Sequence, residues 1–321
     1  MEDKQEKVLS LYNLKVKNSY RTRGAFVLET GQGLMLLREH SYIGGHFLFE
    51  NRIKEALFEA GMEMTDRVIK TGDGKDFAEL ETGEKYVITR WFYGEECNLR
   101  NEKTVREAAE NLGKMHRILA NFPAGDEYIQ EPEAKRLERH SREMKRVFAY
   151  MKSKKQKNEF EIFAMDCFPA FYENGMEAEE MLKGLETVSD KVCHGDYNYH
   201  NVLFTSRGIA TTCFNKACRG EPLMDLYYFL RKTMEKNNWE TSIGEAALNG
   251  YEKQMSLGEE GNRFLYVMLR YPEKYWKLLN QYYNRKKSWL SGRNMEKLIG
   301  VKEQTARKEK FLSTMKERCG V

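Results

Sequence analysis

The sequence predicts an α+β protein in which a small, mainly antiparallel β-rich lobe with one helix precedes a large, mainly α-helical lobe. Roughly the first 90 residues alternate short apolar runs with breaks such as TGQG and TGEK, a pattern typical of strands joined by hairpins. After the segment RWFYGEECN, long amphipathic stretches replace this pattern. We therefore expect one lobe over residues 1–92 and a second over residues 93–321, joined near Arg90 to Asn98.

One helix interrupts the predicted strands of the first lobe. Phe49, Ile53 and Leu57 recur at helical spacing between Gly45 and Ala60, and Gly61 is placed to end that helix. The strand candidates around it are NLKVKNSY, GAFVLET, GLMLLREH, DRVIKT, FAELET and KYVITRWF.

Amphipathic stretches fill most of the second lobe and predict helices. They are Glu102 to Leu119, Ala134 to Lys157, Glu159 to Leu185, Pro222 to Glu235 and much of residues 241–316.

The composition excludes several classes of protein. No apolar run approaches the ~18–20 residues that span a bilayer, and the charged N-terminus lacks the features of a secretory signal. The six cysteines form no CxxC pair, which favours reduced thiols over a disulfide framework or a zinc site. A net charge of +4 from 53 basic and 49 acidic side chains does not indicate nucleic-acid binding. We expect a cytoplasmic protein with no membrane and no nucleic-acid partner.

The last part of the chain is more basic than the rest. From Tyr271 to Val321, 13 Lys or Arg residues stand against five Glu, and Lys135 to Lys157 is a second basic stretch. We expect a salt-sensitive protein partner on the cationic face, while aromatic residues pack the helix onto the lobe. The aromatic residues are Trp276, Tyr282, Tyr283 and Trp289, and the cations between them are Lys274, Lys277, Arg285, Lys286 and Lys287.

The segment CHGDYNYHNVLF, residues 193–204, carries the strongest chemical signal. Asp196 and Asn201 lie five positions apart in a loop that leaves a buried segment. Phosphoryl transfer uses such a pair, because a carboxylate orients or deprotonates the attacking hydroxyl and an amide oxygen helps to hold Mg²⁺. We therefore predict Asp196 as the catalytic base, Asn201 as a metal ligand and His194 as an architectural residue.

This segment, together with CFNKACRGEPLMDLYYFLRKTMEKNNW and AAENLGKMHRIL, resembles the aminoglycoside phosphotransferase and choline kinase superfamily, and within it the CotS-type spore coat proteins. The resemblance runs from about Val8 to Arg318. It implies a bilobed protein-kinase-like fold, a nucleotide cleft between the lobes and a role in spore coat assembly. The segment around Gly220, Pro222 and Asp225 also fits the superfamily, and we expect Asp225 to cap the next helix or to brace the catalytic loop.

Three departures from the superfamily pattern argue against efficient catalysis. Cys213 stands where a magnesium-binding Asp is expected, and a soft thiol is a poor Mg²⁺ ligand, which leaves the neutral amide of Asn215 as a second candidate ligand. On the third strand Arg38 stands where a lysine would contact the phosphates and a helix glutamate, which we place at Glu50; Arg38 either keeps this ion pair or is a solvent-facing strand residue. The turn NSYRTRGAF, expected to cover phosphate, has one glycine, and its Arg21 and Arg23 could bind anions or fill the cleft.

Two hypotheses follow. The first is a degenerate or weakly active kinase fold that serves spore coat assembly, made in the cytoplasm of the mother cell and then incorporated into the coat with other spore coat proteins. The second is an active ATP-dependent phosphotransferase acting on a small-molecule or protein hydroxyl. Arg38 and Glu50 are the predicted nucleotide-binding residues, and Asn201 and Asn215 the predicted metal ligands. The cofactors are ATP and Mg²⁺ if the chain is active, and none if it is not.

Overall fold

A computed structural model describes residues 2–22, 24–40, 43–123, 125, 128–186, 190–284 and 292–320. It shows an antiparallel sheet in the N-terminal region and a mostly helical C-terminal region, as the sequence predicts. The boundary between lobes at residue 92 stays a prediction.

The N-terminal sheet is antiparallel throughout. Its strand order is β1-β2-β3-β6-β4, and β5 also pairs with β6. Only two residues separate Thr22 from Ala25, the last paired positions of β1 and β2, so these strands form a tight hairpin. The strands are β1 (Val16–Thr22), β2 (Ala25–Thr30), β3 (Gly33–His40), β4 (Val68–Ile69), β5 (Ala78–Glu79) and β6 (Lys85–Arg90).

A short helix that the sequence pattern did not predict, α1 (Glu2–Ser10), packs on this sheet. Val8 on the helix and Tyr12 just after it are buried in the same apolar cluster as residues of β2, β3 and β6. The Tyr12 hydroxyl donates to the carbonyl of Tyr86 at 2.8 Å and accepts from the amide of Ala78 at 3.2 Å. Contacts distant in sequence therefore fix α1.

Helix α2 (Gly45–Glu59) confirms the helix predicted within the sheet. Phe49, Ile53 and Leu57 are buried and join the large apolar core formed with the C-terminal helices. Gly61 follows with a φ of 82°, a left-handed conformation typical of the residue that ends a helix. The helix therefore connects the sheet to the rest of the molecule.

Nine helices follow in the described residues of the C-terminal region, and each of them contributes buried residues to its core. Helices α3 and α7 approach so closely that a Cβ added to Gly250 would lie 2.2 Å from the carbonyl oxygen of Arg106. The helices are α3 (Glu102–Leu119), α4 (Glu133–Ser153), α5 (Glu159–Lys183), α6 (Leu223–Lys236), α7 (Thr241–Glu252), α8 (Gly258–Arg270), α9 (Glu273–Asn284), α10 (Gly292–Glu303) and α11 (Thr305–Arg318). None of the helices in the described residues is long and apolar enough to cross a bilayer.

Two small sheets hold the loops that carry the candidate site. One has the strand order β10-β9-β7 and the other pairs β11 with β8. The residues between β8 and β9 form the first loop, and the residues between β10 and β11 form the second. A parallel bridge from Thr65 to Thr211 joins the second loop to the segment after α2. The strands are β7 (Glu95–Glu96), β8 (Lys191–Cys193), β9 (Val202–Thr205), β10 (Gly208–Thr211) and β11 (Cys218–Gly220).

Candidate functional site

A buried carboxylate braces the loop between β8 and β9. Asp225, on the first turn of α6, is 1% exposed and accepts hydrogen bonds from the backbone amides of His194 at 2.6 Å and Gly195 at 2.9 Å. The imidazole of His116 lies 3.3 Å from the same carboxylate. Asp225 therefore braces the loop through backbone hydrogen bonds, one of the two roles expected of it.

His194 is the internal support of this loop. Its Nδ1 accepts from the amide of Asp196 at 3.2 Å, so the proton of a neutral ring lies on Nε2, which is 3.1 Å from the carbonyl of Thr212. Burial lowers the pKa of His194, although the Asp225 carboxylate opposes this effect. A neutral imidazole joining the two loops fits the architectural role predicted for it.

The turn into the loop requires glycine. Gly195 has a φ of 75°, and a Cβ at this position would lie 1.9 Å from the carbonyl oxygen of Lys216. The two loops are therefore in backbone contact beside Asp196.

The structure brings together the predicted base and one predicted metal ligand. The side-chain amide of Asn201 donates to the carbonyl of Asp196 at 2.9 Å, and that of Asn198 donates to the Asp196 carboxylate at 3.1 Å. The other carboxylate oxygen of Asp196 lies 2.8 Å from the ammonium of Lys216. Asp196 is partly exposed, while Asn201 is buried. The loop thus presents a positioned carboxylate that already has a cationic partner.

Cys213, at the position where the superfamily has a carboxylate, adopts a strained backbone conformation. Its φ is 66°, which is uncommon for a residue other than glycine. Its amide donates to Oδ2 of Asp66 at 2.9 Å. Burial raises the pKa of the Cys213 thiol, and the carboxylates of Asp66 and Asp196 add to this effect. The side chain is therefore a neutral thiol between two carboxylates.

Cys213 and Asn215 line a cavity between the N-terminal sheet, α2 and the second loop. Its volume is about 130 Å³, below the ~300–1,000 Å³ typical of small-molecule sites. Both predicted nucleotide-binding residues, Arg38 and Glu50, also line it. The other lining residues are Leu36, His40, Phe47, Lys54, Asp66, Val87, Thr89 and Trp91.

Lys54 is the residue of this cavity that the sequence reasoning missed. Its side chain is 1% exposed, and its ammonium donates to the carboxylate of Glu50 at 2.7 Å and to the backbone carbonyl of Asp66 at 3.2 Å. Burial lowers the pKa of Lys54, but the carboxylates of Asp66 and Glu50 outweigh burial and the net pKa is raised. The i, i+4 spacing of Glu50 and Lys54 on a predicted helix was the available signal.

Arg38 does not take the place of the missing strand lysine. It lies exposed on β3, and no ion pair joins it to Glu50 within the described residues. The lysine that pairs with the helix glutamate comes instead from one turn further along the same helix. Arg38 remains at the wall of the cavity, where it lowers the pKa of His40 as a minor cause beside burial.

The donors around the cavity do not fit a divalent metal well. Cys213 offers sulfur and Asn215 a neutral amide, whereas Mg²⁺ prefers hard, charged oxygen. Asp66 offers a carboxylate, but one oxygen accepts from the Cys213 amide and the other lies 3.9 Å from the Lys54 ammonium. Burial raises the pKa of Asp66, against the opposing charge of Lys54. Across the part of the chain that the structure describes, no group of three or more His, Cys, Asp or Glu side chains could hold a metal.

Trp276 and Tyr282 of α9 pack against the lobe as the sequence predicts, whereas Tyr283 is 40% exposed and does not. Trp276 stacks on His140 with ring centroids 3.4 Å apart and donates to Glu143 at 2.8 Å. Tyr282 donates to Glu161. Tyr283 is partly exposed and meets Tyr150 edge-on. Trp289 and the cations Arg285, Lys286 and Lys287 lie outside the described residues, as does Arg23 of the β1–β2 turn.

Solved structures with a similar fold are phosphotransferases. An aminoglycoside phosphotransferase from Alicyclobacillus acidocaldarius has a TM-score of 0.88 at 16% identity, over 98% of this chain and 96% of that chain. A spectinomycin phosphotransferase bound to ADP and spectinomycin has a TM-score of 0.64 at 12% identity, over 95% of this chain and 98% of that chain. A choline/ethanolamine kinase family protein from Mesorhizobium loti has a TM-score of 0.58 at 13% identity, over 98% of this chain and 99% of that chain. The chain therefore has a kinase-like phosphotransferase fold.

The sequence itself places the chain in one family with this fold. Residues 5–315 match the family described as "Spore coat putative kinase YutH", and the chain belongs to that family. This confirms the expected resemblance to spore coat proteins within the superfamily. No curated protein matches the sequence.

Proposed function

We propose that this protein is a degenerate or weakly active kinase that acts in spore coat assembly, on the CotS-like model expected from its sequence. The observation that carries this proposal is the cavity beside Cys213. Every carboxylate that lines it is held by Lys54 or by a backbone amide, and the superfamily's metal-binding position carries a thiol. Losing one preorganised electrostatic element of this kind costs ~10²–10³ in rate.

The internal ion pairs support the same conclusion. A phosphate-binding lysine is useful when its ammonium can reach the ligand, whereas Lys54 is buried and already bonded to Glu50 and Asp66. Moving it toward a phosphate would separate it from two carboxylates in a site shielded from water, which is costly. Arg38 is then the cation of this cavity that is free to meet an anion.

A second candidate function, an active phosphotransferase, is favoured by the loop around Asp196. Asn198 donates to this carboxylate and Asn201 to the backbone carbonyl of Asp196, on a framework braced by Asp225. A carboxylate so positioned can accept the proton of an attacking hydroxyl once Lys216 swings away, and Lys216 is exposed enough to do so. The acceptor would be a small-molecule or protein hydroxyl.

Nucleotide binding is the first experiment that separates the two functions. Thermal unfolding is followed while ATP is added with Mg²⁺ or with EDTA. A ligand at ~100 times its Kd raises the stability of the folded state by ~2.7 kcal/mol. We expect ATP to raise the unfolding temperature only slightly, by an amount that is nearly the same with Mg²⁺ as with EDTA. A large rise in the unfolding temperature that requires Mg²⁺ would contradict the proposal that the metal-binding position has lost its function.

The rate of ATP hydrolysis is the second experiment that separates the two functions. We expect the wild-type rate of ATP hydrolysis to be barely above that of an Asp196→Asn variant. If a brisk rate depends on Mg²⁺ and disappears in Asp196→Asn, the protein is an active kinase. Lys216→Ala is the matched variant, because it frees the Asp196 carboxylate without removing it and should raise any rate that depends on this group.

The place of the protein in the coat requires a separate experiment. A tagged chain is followed from the mother cell into purified spore coats, and proteins bound to it are recovered at low and at high salt. We expect it in the coat fraction, bound to other coat proteins in a salt-sensitive manner. Absence from the coat would contradict the assembly role, whatever the outcome of the kinase measurements.

A further inference from the structure

A second and larger cavity shares Trp91 with the cavity beside Cys213 and is otherwise lined by different residues. Its volume is about 510 Å³, within the ~300–1,000 Å³ of small-molecule sites. It is bounded by the β2–β3 turn, the end of α2, the segment after β6 and the β9–β10 turn. Among its lining residues are Glu63, Trp91 and the arginines Arg67, Arg90 and Arg207. We name it the arginine cavity.

Three arginines from three separate segments meet in this cavity. Arg67 follows α2, Arg90 ends β6 and Arg207 lies in the β9–β10 turn. Burial lowers the pKa of Arg90, and the charges of Arg67 and Arg207 lower it further. Like charges that line one cavity repel one another, and an anion bound among the three arginines would relieve this repulsion.

The protein compensates only part of this charge. Arg67 pairs with Glu55 at 3.0 Å, and its guanidinium stacks 3.3 Å from the centre of the Phe58 ring. Arg90 donates to the carbonyl of Gln32 at 3.2 Å, a neutral acceptor. No ion pair involves Arg90 or Arg207 within the described residues, and Glu63 is the single carboxylate in the lining.

Two of these arginines are held in place before any ligand arrives. Stacking on Phe58 and pairing with Glu55 fix Arg67, while the Gln32 carbonyl orients Arg90. Guanidinium groups fit the oxygens of phosphate in bidentate pairs, and groups that are already ordered lose little entropy on binding. The ring of Trp91 in the lining can cover one face of a bound group.

We propose that the arginine cavity binds a phosphate-bearing ligand, with Arg90 and Arg207 as the principal contacts and Arg67 as a third. The proposal does not depend on nucleotide binding beside Cys213. Trp91 lines both cavities, so a ligand in each would lie beside the same residue. A phosphorylated metabolite and a phosphorylated protein segment present the same chemistry here.

Pyrophosphate is the probe that tests the cavity. Binding is measured by isothermal titration at constant ionic strength, adjusted with KCl, for the wild type and for Arg207→Gln, Arg90→Gln and Arg142→Gln. We expect saturable binding by the wild type and about tenfold weaker binding for Arg207→Gln and for Arg90→Gln, since each removes a charge-assisted contact. Arg142→Gln is the matched control, because it removes one exposed cation of α4 that lines neither cavity and should leave the affinity unchanged.

Each outcome of the titration either supports the proposed phosphate site or overturns it. No saturable binding by the wild type, or equal weakening by Arg142→Gln and Arg207→Gln, overturns the proposal. Arg207 lies exposed in a turn, so its variant decides the outcome even if Arg90→Gln does not fold. Repeating the titration with phosphoserine peptides and with inorganic phosphate then separates a protein segment from a small metabolite. A failure of ATP to bind beside Cys213 leaves this prediction intact.

Discussion

The backbone amide of Cys213 donates a hydrogen bond of 2.9 Å to the carboxylate of Asp66, a residue 147 positions earlier in the chain. The bond joins the segment after α2 to the loop that carries the altered metal position. It occupies one oxygen of a carboxylate that could otherwise have replaced the lost metal ligand. The most informative variants change this pair or its immediate neighbours.

Restoring the superfamily residues should restore chemistry. In Cys213→Asp with Arg38→Lys, a hard carboxylate and a compact ammonium return to the cavity, and we expect the rate of Mg²⁺-dependent ATP hydrolysis to rise by at least ~10-fold. The measurement is phosphate release at saturating ATP. Cys213→Ser is the control, because it changes the thiol without adding charge. If the double variant is no faster than Cys213→Ser, the loss of the carboxylate does not limit the rate.

Removing the buried ammonium should destabilise the fold. Lys54→Met leaves the carboxylates of Glu50 and Asp66 without their shared cation, and breaking a buried pair in this way costs ~3–5 kcal/mol. Chemical denaturation at neutral pH measures the change. Arg38→Met removes an exposed cation from the same cavity and should change the free energy of unfolding by less than about 0.5 kcal/mol. Similar losses in the two variants would show that Lys54 is not the structural cation of this site.

A methyl group at Gly195 should disrupt the catalytic loop. Gly195→Ala must accommodate a positive φ and a Cβ that would overlap the Lys216 carbonyl. We expect a loss of ~2–5 kcal/mol in unfolding free energy. Gly31→Ala, at a turn with nothing within 4 Å of the added atom, is the matched control and should change little. A Gly195→Ala variant as stable as Gly31→Ala would mean that the two loops are not in backbone contact.

Acid should weaken the C-terminal region through Glu273. Burial alone would raise the pKa of this carboxyl, but His140, Lys277, Arg136 and Arg231 outweigh it and hold the pKa at about 2, against an ordinary 4.5. A depressed pKa contributes stability above pH 4.5 that is lost as the pH falls toward 2. The contribution at neutral pH is at most about 3 kcal/mol.

Glu273→Gln tests this assignment. The variant should be less stable than the wild type at pH 7, and the difference should shrink as the pH is lowered from 5 to 3 because the wild type then loses the same charge. Denaturation midpoints across this range measure it. A difference that stays constant with pH would assign the loss to packing rather than to charge.

The fold could be predicted further than the site. Helix α3 begins and ends where its amphipathic pattern does, at Glu102 and Leu119, because the periodic burial of one face is a local property of the sequence. Helix α1 was missed because its short, charged sequence shows little periodicity and is stabilised by contacts of Val8 and Tyr12 with distant strands. Tertiary contacts, rather than propensity, decide such a helix.

The cavity beside Cys213 could also be predicted only where a local sequence pattern was present. Asp196 and Asn201 could be found because one short motif contains both. Lys54 was not assigned to the cavity, because its second carboxylate partner, Asp66, is brought close to it only by the turn after α2. The expected partner of Glu50 was Arg38 on β3, with a solvent-facing Arg38 as the alternative, whereas the structure leaves Arg38 exposed and pairs Glu50 with Lys54.

The two-residue connection between Thr22 and Ala25 has a consequence for any phosphate that enters the cavity near Arg38. A longer, glycine-rich loop could close over a ligand and keep water out, whereas a hairpin this tight has little chain with which to do so. A nucleotide there would stay in contact with solvent. Water, at its bulk concentration, would then compete with every other hydroxyl for the transferred group, so that residual turnover would release free phosphate rather than modify an acceptor.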